Sequence, residues 1–303
     1  MIDRFLAFSS AAAIAFLLAT VPVGGQMTGS AAQAQKPDAT KAWVPSRTAD
    51  GQPDVQGFWA MSASAPPFFQ NIEEGSEPTH NKMVSIKPRA GSAIVDPPDG
   101  KVPYQPWAAA VKQERSQNIF NPNPALRDPV VTNCVMPGVP RAQYEGVPPT
   151  FQIVQNPGLL LLLFERQHTA RIIPVDGRPH ATANIKLWMG DSRGRWEGNS
   201  LVVNVTNHND KPWLDWAGNF HSDALRVQER WTFVDGDTIK YEATMEDPKV
   251  YSRPWKMAFT YSRIKQEGFQ LLEDSCYEGA QLDADDKRLP AGDATDKTAT
   301  APR

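Results

Sequence analysis

The chain has 303 residues, 41% of them hydrophobic, and a formal net charge of −3. This charge leaves no basic surface for nucleic acid, and the length that remains after removal of a leader fits one large β domain. The sequence contains no Gly-rich phosphate loop and no C-x-x-C or C-x-x-C-H motif. Nucleotides, flavins and haem are therefore disfavoured, and we expect no cofactor.

The first 34 residues have the pattern of a secretory signal peptide. Arg4 supplies a positive charge, residues 5–21 are almost wholly apolar, and residues 32–34 form a small-x-small cleavage site. A membrane anchor is the alternative, but Pro22 and two serines interrupt the apolar stretch. We predict cleavage after residue 34 and a mature protein that is periplasmic or secreted, without a stable membrane span.

Residues 35–150 are rich in proline, with 17 of the 27 prolines lying within residues 45–149. Proline fixes φ and removes a backbone donor, so we expect an extended arm that wraps the domain and no central strand. Within this arm we predict a short strand at residues 55–60 and one helix at residues 106–118 that begins with Pro106. The helix is also indicated by Trp107, Ala110, Val111 and Glu114, which lie at helical spacing.

Residues 151–280 have the pattern of a β domain. Apolar and polar residues alternate, and turn signals such as residues 156–158 and 235–237 separate the runs. The predicted strands are residues 151–155, 159–164, 171–175, 201–206, 225–234, 238–246, 255–263 and 269–276. This spacing predicts an antiparallel β-barrel, lipocalin-like, or a sandwich, which forms one domain with the arm. Residues 281–303 are polar and are predicted to be a disordered tail.

Cys134 and Cys276 are the only cysteines of the chain. In an oxidising compartment this even, sparse count predicts one disulfide. Because the two residues lie far apart in sequence, the bridge would stabilise the fold by roughly 3–5 kcal/mol. Two buried free thiols are the alternative.

Alternation along residues 225–234 places the odd positions on the inner face of the sheet, and Glu229 is one of them. A buried carboxylate is unfavourable unless it is paired or protonated, which makes Glu229 a candidate general acid or base. His221 and Asp223 share its parity, so a His-x-Asp pair on the same face would complete the catalytic group. The alternatives are a core ion pair between Glu229 and an arginine, and a solvated loop histidine.

The residues predicted to contact a substrate are His168, Arg171, Tyr241, Trp213 and Trp216. Arg171 would hold a carboxylate or phenolate, Tyr241 would donate to a substrate oxygen, and the two indoles lie in a loop where a core role is less obvious. The alternatives are a surface salt-bridge network around residues 165–180, a tyrosine bonded to a backbone carbonyl, and tryptophans that fill the core.

A metal site is a further alternative, because the chain offers His168, His180, His208 and His221 as ligands. No pair of them has the i, i+4 spacing of a zincin helix, and there is no cysteine cluster. We therefore assign no metal ligands and keep a metal-dependent hydrolase as an alternative.

Short motifs cover nearly all of the mature chain. They are Thr48-Ala-Asp-Gly-Gln-Pro-Asp54 with Gly57-Phe-Trp59, Cys134-x-x-Pro-Gly-x-Pro-Arg141, Gly194-Arg-Trp-Glu-Gly198, Asp210-Lys-x-Trp-Leu-Asp215, His221-Ser-x-Ala-Leu225 with Glu229-Arg230, and Asp247-Pro-Lys249 with Pro254-Trp255. This set resembles a large family of exported, mostly uncharacterised bacterial proteins. Proteins with motifs of this kind also resemble cofactor-independent lyases that release formaldehyde from lignin-derived phenylcoumaran dimers. That resemblance implies a base and an acid in an aromatic-lined cavity, and it assigns no residue.

The function predicted from the sequence is an exported enzyme that performs cofactor-independent acid/base elimination or isomerisation on an apolar, aromatic small molecule. Glu229 and His221 would move protons, with Asp223 behind the histidine. The alternatives are a periplasmic binding protein for a similar ligand, a metal-dependent hydrolase, and a structural envelope protein filled by tryptophans. The expected partner is a small molecule; a homo-oligomer stays open.

Overall fold

The computed structural model describes residues 43–62, 68, 70–73, 91–119, 121–146, 148–274 and 276. All of them belong to one compact unit. The predicted signal peptide and the predicted tail lie outside the described residues. In the part of the chain that is described, no helix is long and apolar enough to cross a bilayer.

The described residues form one antiparallel sheet of ten strands. The strands are β1 Gly57–Met61, β2 Ile94–Asp96, β3 Thr150–Asn156, β4 Leu159–Phe164, β5 Ala170–Pro174, β6 Asp191–Glu197, β7 Ser200–Thr206, β8 Arg226–Phe233, β9 Thr238–Glu246 and β10 Trp255–Arg263. They follow the order β5-β4-β3-β1-β10-β9-β8-β7-β6, and β2 pairs with β10 off this path. The helices are α1 Pro106–Gln117 and α2 Pro129–Thr132, with 3₁₀ turns at Pro124–Leu126, Arg141–Gln143 and Arg166–His168. The predicted mainly β fold is confirmed.

The two end strands of this order, β5 and β6, lie beside each other, so the sheet is nearly closed into a barrel. Gly194 of β6 allows the approach. A Cβ at this position would lie 2.8 Å from a methyl of Val175 and 2.9 Å from a methyl of Ile173. A glycine in a strand often marks such a close approach of another segment.

The inner face of the barrel follows the predicted alternation. The odd positions of β8 and β9 are buried, whereas most even positions are exposed or half-buried. Register pairs Trp231 with Tyr241 and Glu229 with Ala243. The barrel core is therefore aromatic and carries one carboxylate of β8, as the period-2 pattern requires.

The short strand predicted in the arm is present as β1, but its expected place in the sheet and the last predicted strand are wrong. β1 lies between β3 and β10, in the body of the sheet, although the arm was expected to provide no central strand. The five residues of β1 contain no proline, so its backbone donors are all available. Residues 269–274 form no strand, because side chains bind their backbone instead: the Leu272 N–H donates to Glu165 at 3.0 Å, and the Asp274 N–H donates to His168 at 2.8 Å.

The strand β6 was missed by the sequence analysis. Its sequence, Asp-Ser-Arg-Gly-Arg-Trp-Glu, is dominated by charged residues and gives little apolar alternation. β6 has no hydrogen-bonded strand on the side of β5, and its last five residues are half-buried or exposed, so the apolar pattern carries little signal.

Helix α1 exists as predicted, and its buried side is shifted by one residue from the positions 107, 110, 111 and 114 that indicated it. Ala108 is buried and Val111, Lys112 and Arg115 are half-buried, whereas Trp107 is 51% exposed. The spacing i, i+3, i+4, i+7 fits either face. The buried side includes the polar residues Lys112 and Arg115, so the apolar pattern of the sequence does not identify it.

The predicted disulfide is present between Cys134 and Cys276, whose Cα atoms lie 5.8 Å apart. This separation is normal for a bridged pair. The bond ties the segment after β10 to the segment after α2.

Candidate functional site

A buried ion pair occupies the barrel interior at Glu229. Arg171 of β5 binds the carboxylate with both terminal nitrogens, one of them 2.9 Å from Oε1. The Tyr241 hydroxyl donates to the same oxygen at 2.8 Å. Arg171 Nε also donates to Ser192 Oγ of β6 at 3.0 Å. The carboxylate of β8 therefore holds β5 and β9 directly, and β6 through the arginine.

This arrangement is the core ion pair that was the alternative for Glu229. Glu229 and Tyr241 are 0% exposed and Arg171 is 2% exposed, so a substrate would reach none of them without a rearrangement. Burial first, and then the charge of Glu229, raises the pKa of Tyr241 well above its usual range. The tyrosine therefore stays a donor, and the carboxylate has its charge compensated. Catalysis by Glu229 stays a prediction.

Ser192 stands at the centre of a G-x-S-x-G pattern, Gly190-Asp-Ser-Arg-Gly194. In serine hydrolases this pattern forms a sharp turn between a strand and a helix. Here Ser192 lies within β6, is 4% exposed and accepts a hydrogen bond from Arg171. The geometry is that of a strand residue and not of a nucleophile elbow.

His221 and Asp223 lie before β8, so the strand does not extend back to them. His221 is 4% exposed, and its Nδ1 donates to the Ser222 carbonyl at 2.9 Å. The Asp223 carboxylate binds Lys249 and Lys186 at 2.6 and 3.3 Å and is 41% exposed. The expected support of the imidazole by Asp223 is not what these contacts show.

His208 lies beside His221, with the ring centroids 5.7 Å apart. Burial is the main cause that lowers the pKa of both rings, so they are neutral at pH 7. Neither ring nitrogen of His208 makes a well-formed hydrogen bond among the described residues. Among the described residues, no three His, Cys, Asp or Glu side chains converge as metal ligands.

The other predicted contact residues are dispersed. His168 lies in the 3₁₀ turn before β5, where its Nε2 accepts the Asp274 N–H. Trp216 is half-buried against the core. Trp213 is 7% exposed, and it lines a surface groove that the sequence analysis did not foresee.

This groove, the arginine–tryptophan groove, has a volume of about 320 Å³. One wall is α1, with Val111 and Arg115; the second is the segment 124–133, with Arg127; the third is Trp213. The guanidinium carbon of Arg115 lies 4.8 Å from the ring centroid of Trp213, a cation–π contact. The groove therefore combines an aromatic surface with two cations.

Neither cation has a carboxylate partner among the described residues. Arg115 rests between the rings of Trp213 and Phe220, and its Nη1 is buried without a hydrogen bond, as is Nε of Arg127. Burial lowers the pKa of Arg115, and the acidic groups that attract it act from beyond ion-pair distance. A ligand in the groove would not reach these two buried atoms, but a guanidinium carries five donors, so each side chain has further donors to offer to a bound anion.

Two contacts fix the third wall. Gly218, in the same loop as Trp213, has a φ of +91° and lies against α1, where a Cβ would approach Arg115 Cβ to 2.7 Å. Glycine is required for both reasons. On the other side, Arg141 donates to the Trp213 carbonyl at 3.0 Å. The indole is thereby held between α1 and the segment 124–133.

Arg115 and Arg127 were missed because they lie in the proline-rich arm, where no strand pattern drew attention to them. One signal was available. Arg115 follows Val111 by four residues on the helix that was predicted, so it had to share a face with an apolar position. Its contact with Trp213, 98 residues along the chain, had no local signal.

No protein-family model matches the chain, and no curated protein matches it.

Proposed function

We propose that this chain is an exported small-molecule-binding protein whose ligand is an aromatic anion held in the arginine–tryptophan groove. The observation that carries the proposal is the pair of unpaired guanidiniums, Arg115 and Arg127, on one groove beside Trp213. Elsewhere in the described chain, the buried arginines Arg141 and Arg171 are bound to carboxylates. Arginines that line a concave surface with free donors are suited to a ligand carboxylate.

The groove has the dimensions for such a ligand. Its volume of about 320 Å³ lies at the lower end of the range of small-molecule sites. A benzoate or a hydroxycinnamate would direct its carboxylate toward Arg115 and Arg127 and would touch only the small exposed part of Trp213, because Arg115 lies over the indole ring. The apolar Val111 and Leu126, which also line the groove, would contact the ring edge.

Export is part of the proposal. It is supported by the signal-peptide pattern of residues 1–34 and by the Cys134–Cys276 disulfide, since structural disulfides persist in oxidising compartments. The resemblance to a family of exported bacterial proteins points the same way and stays a prediction.

The elimination or isomerisation expected from the sequence is a second candidate function, which the titration experiment described below also tests. Its predicted base, Glu229, is held by Arg171 inside the barrel and does not line the groove. Glu114 is the one carboxylate among the described groove residues. We therefore propose binding as the function and measure turnover beside it.

The test is calorimetric titration of the purified mature protein with benzoate, 4-hydroxybenzoate and 4-hydroxycinnamate, each beside its methyl ester. We expect the acids to bind about ten- to a hundredfold more tightly than the esters, because a charge-assisted hydrogen bond is worth roughly 1.5–3 kcal/mol. Arg115→Met should remove most of that difference. Arg226→Met, which changes an exposed arginine of β8, is the matched control.

Equal affinity of acids and esters, or an unchanged affinity in Arg115→Met, would refute the proposal. Consumption of a ligand by wild type, followed by chromatography of the mixture, would make the protein an enzyme. If Glu229→Gln still binds the ligand but no longer consumes it, the reaction depends on Glu229 in the barrel interior.

A further inference from the structure

Arg141 lies behind the groove and is fully buried. Its Nη1 donates to the Trp213 carbonyl at 3.0 Å and lies 2.7 Å from Asp128 Oδ2. Its Nε donates to Glu145 at 2.7 Å. Asp128 follows the groove residue Arg127 directly and accepts the Val130 N–H at 3.1 Å at the start of α2. One guanidinium thus touches two of the three groove walls from the inside.

We propose that Arg141 is the positioning residue of the arginine–tryptophan groove: it fixes the distance between Trp213 and the wall that carries Arg127. This inference rests on the proposed function. It joins two motifs of the sequence, since Arg141 ends Cys134-x-x-Pro-Gly-x-Pro-Arg141 and Trp213 belongs to Asp210-Lys-x-Trp-Leu-Asp215. Arg141 itself is 0% exposed and does not line the groove, so its effect on a ligand passes through Trp213 and Arg127.

An arginine is required at this position for a geometric reason. A planar guanidinium directs its donors outward at fixed angles, so that Nε binds Glu145 while Nη1 binds the Trp213 carbonyl and lies at ion-pair distance from Asp128. A lysine keeps the charge near Asp128 and Glu145, but its single ammonium cannot also hold the carbonyl in the same plane. Arg141→Lys is therefore the variant that separates neutralisation of the two carboxylates from placement of the indole.

The loop of Trp213 has other anchors, which make the effect local. The Tyr144 hydroxyl donates to the Leu214 carbonyl at 2.8 Å, and Asp215 accepts the Asn219 N–H at 3.0 Å. These contacts hold the residues after Trp213 in place. When the Arg141 bond is lost, the loop stays attached and the carbonyl of Trp213 is released, so that the indole moves relative to Arg127.

The experiment uses full-length mature protein labelled with 5-fluorotryptophan, whose resonances are assigned with Trp213→Phe and Trp59→Phe. In the ligand-free protein, Arg141→Lys should shift or broaden the resonance of Trp213 and leave that of Trp59 in place. Arg263→Lys is the reciprocal control, because Arg263 lies 4.2 Å above the ring of Trp59 and should move that resonance alone. The affinity for 4-hydroxybenzoate should fall by about fivefold in Arg141→Lys and stay unchanged in Arg263→Lys.

If wild type binds the acid and Arg141→Lys leaves both the Trp213 resonance and the affinity unchanged, this inference fails alone. If wild type binds no aromatic acid, the proposed function fails, and a moved Trp213 resonance would show Arg141 to be a structural anchor only. Should Arg141→Lys not fold, as circular dichroism would show, Asp128→Asn replaces it. Asparagine retains the cap of α2 and weakens the grip on Arg141. A smaller movement of Trp213 with weaker binding is then expected, and no change in either would overturn the inference.

Discussion

Arg171 and Arg115 occupy opposite situations in one small fold. Arg171 lies inside the barrel with a carboxylate, a hydroxyl and almost no exposed surface. Arg115 lies on the flank, held by two aromatic rings and by no carboxylate. An arginine whose donors are all bonded within the chain has few donors left for a ligand. An arginine with unbonded donors beside a groove can bind an anionic ligand. The comparison separates a charge that serves the fold from one that is free to serve binding.

The largest effect is expected from breaking the interior ion pair. Glu229→Gln removes the charge that compensates Arg171, and an uncompensated buried charge costs about 3–5 kcal/mol of the free energy of unfolding. Urea denaturation of wild type and variant measures it. The double variant Glu229→Leu with Arg171→Met should recover most of the loss, because a pair of apolar side chains leaves no charge unpaired. A loss below about 1 kcal/mol in the single variant would mean that water reaches the site.

The next effect concerns the hydroxyl that completes the same site. Tyr241→Phe deletes one hydrogen bond to a charged oxygen and leaves the Arg171 contacts in place. We expect a loss of about 1.5–3 kcal/mol in the same denaturation experiment. Tyr251→Phe is a matched control, because that hydroxyl is also buried but donates to a neutral carbonyl, that of Phe220. Its loss should be smaller, about 0.5–1.5 kcal/mol.

A pH effect is expected from the loop that carries Trp213. Burial raises the pKa of Asp215 to about 6, although the carboxylate accepts hydrogen bonds from Ile72 and Asn219. The folded protein therefore binds this proton more tightly than the unfolded chain does. Stability from this group is present below about pH 4 and is lost as the pH rises through about 6, by about 3 kcal/mol, because the pKa of the carboxyl lies about two units above its value in the unfolded chain. The slope should disappear in Asp215→Asn. A difference between the two proteins that does not vary with pH would contradict the prediction.

The barrel interior and the groove also differ in how much of each could be predicted from the sequence. Period-2 alternation placed Glu229 on the inner face, because that placement depends only on its own strand. Its partner could not be derived, since Arg171 lies 58 residues earlier and meets it only after the sheet curls. Trp213 was predicted as a ligand contact and lines the groove, but the cations beside it were not predicted. Their free donors depend on where a distant loop docks on α1.

The place of β1 in the sheet and the position of His221 and Asp223 were predicted wrongly for a related reason. Proline content misplaced β1, because an average over 100 residues conceals a five-residue run that lacks proline. His221 and Asp223 share strand parity with Glu229, but parity has meaning only within a strand, and β8 begins at Arg226. Local rules hold within an element, and they fail at its boundaries and at contacts between distant segments.

The smallest expected effect tests whether the arginine–tryptophan groove is open to solvent, in contrast to the barrel interior around Arg171. Glu114 is an exposed carboxylate on the groove, so it repels an anionic ligand weakly. Glu114→Gln should raise the affinity for 4-hydroxybenzoate about two- to threefold at low salt, in line with roughly 0.5 kcal/mol for an exposed pair of charges. At 1 M salt the gain should vanish, because the Debye length falls to about 3 Å. Titration at two salt concentrations measures this, and Glu246→Gln, on the exposed face of β9, is the control that should change neither value. A gain in affinity that persists at 1 M salt would mean that the groove is shielded from solvent. Arg115 would then lie in a buried environment like that of Arg171, and the contrast between the two arginines would be wrong.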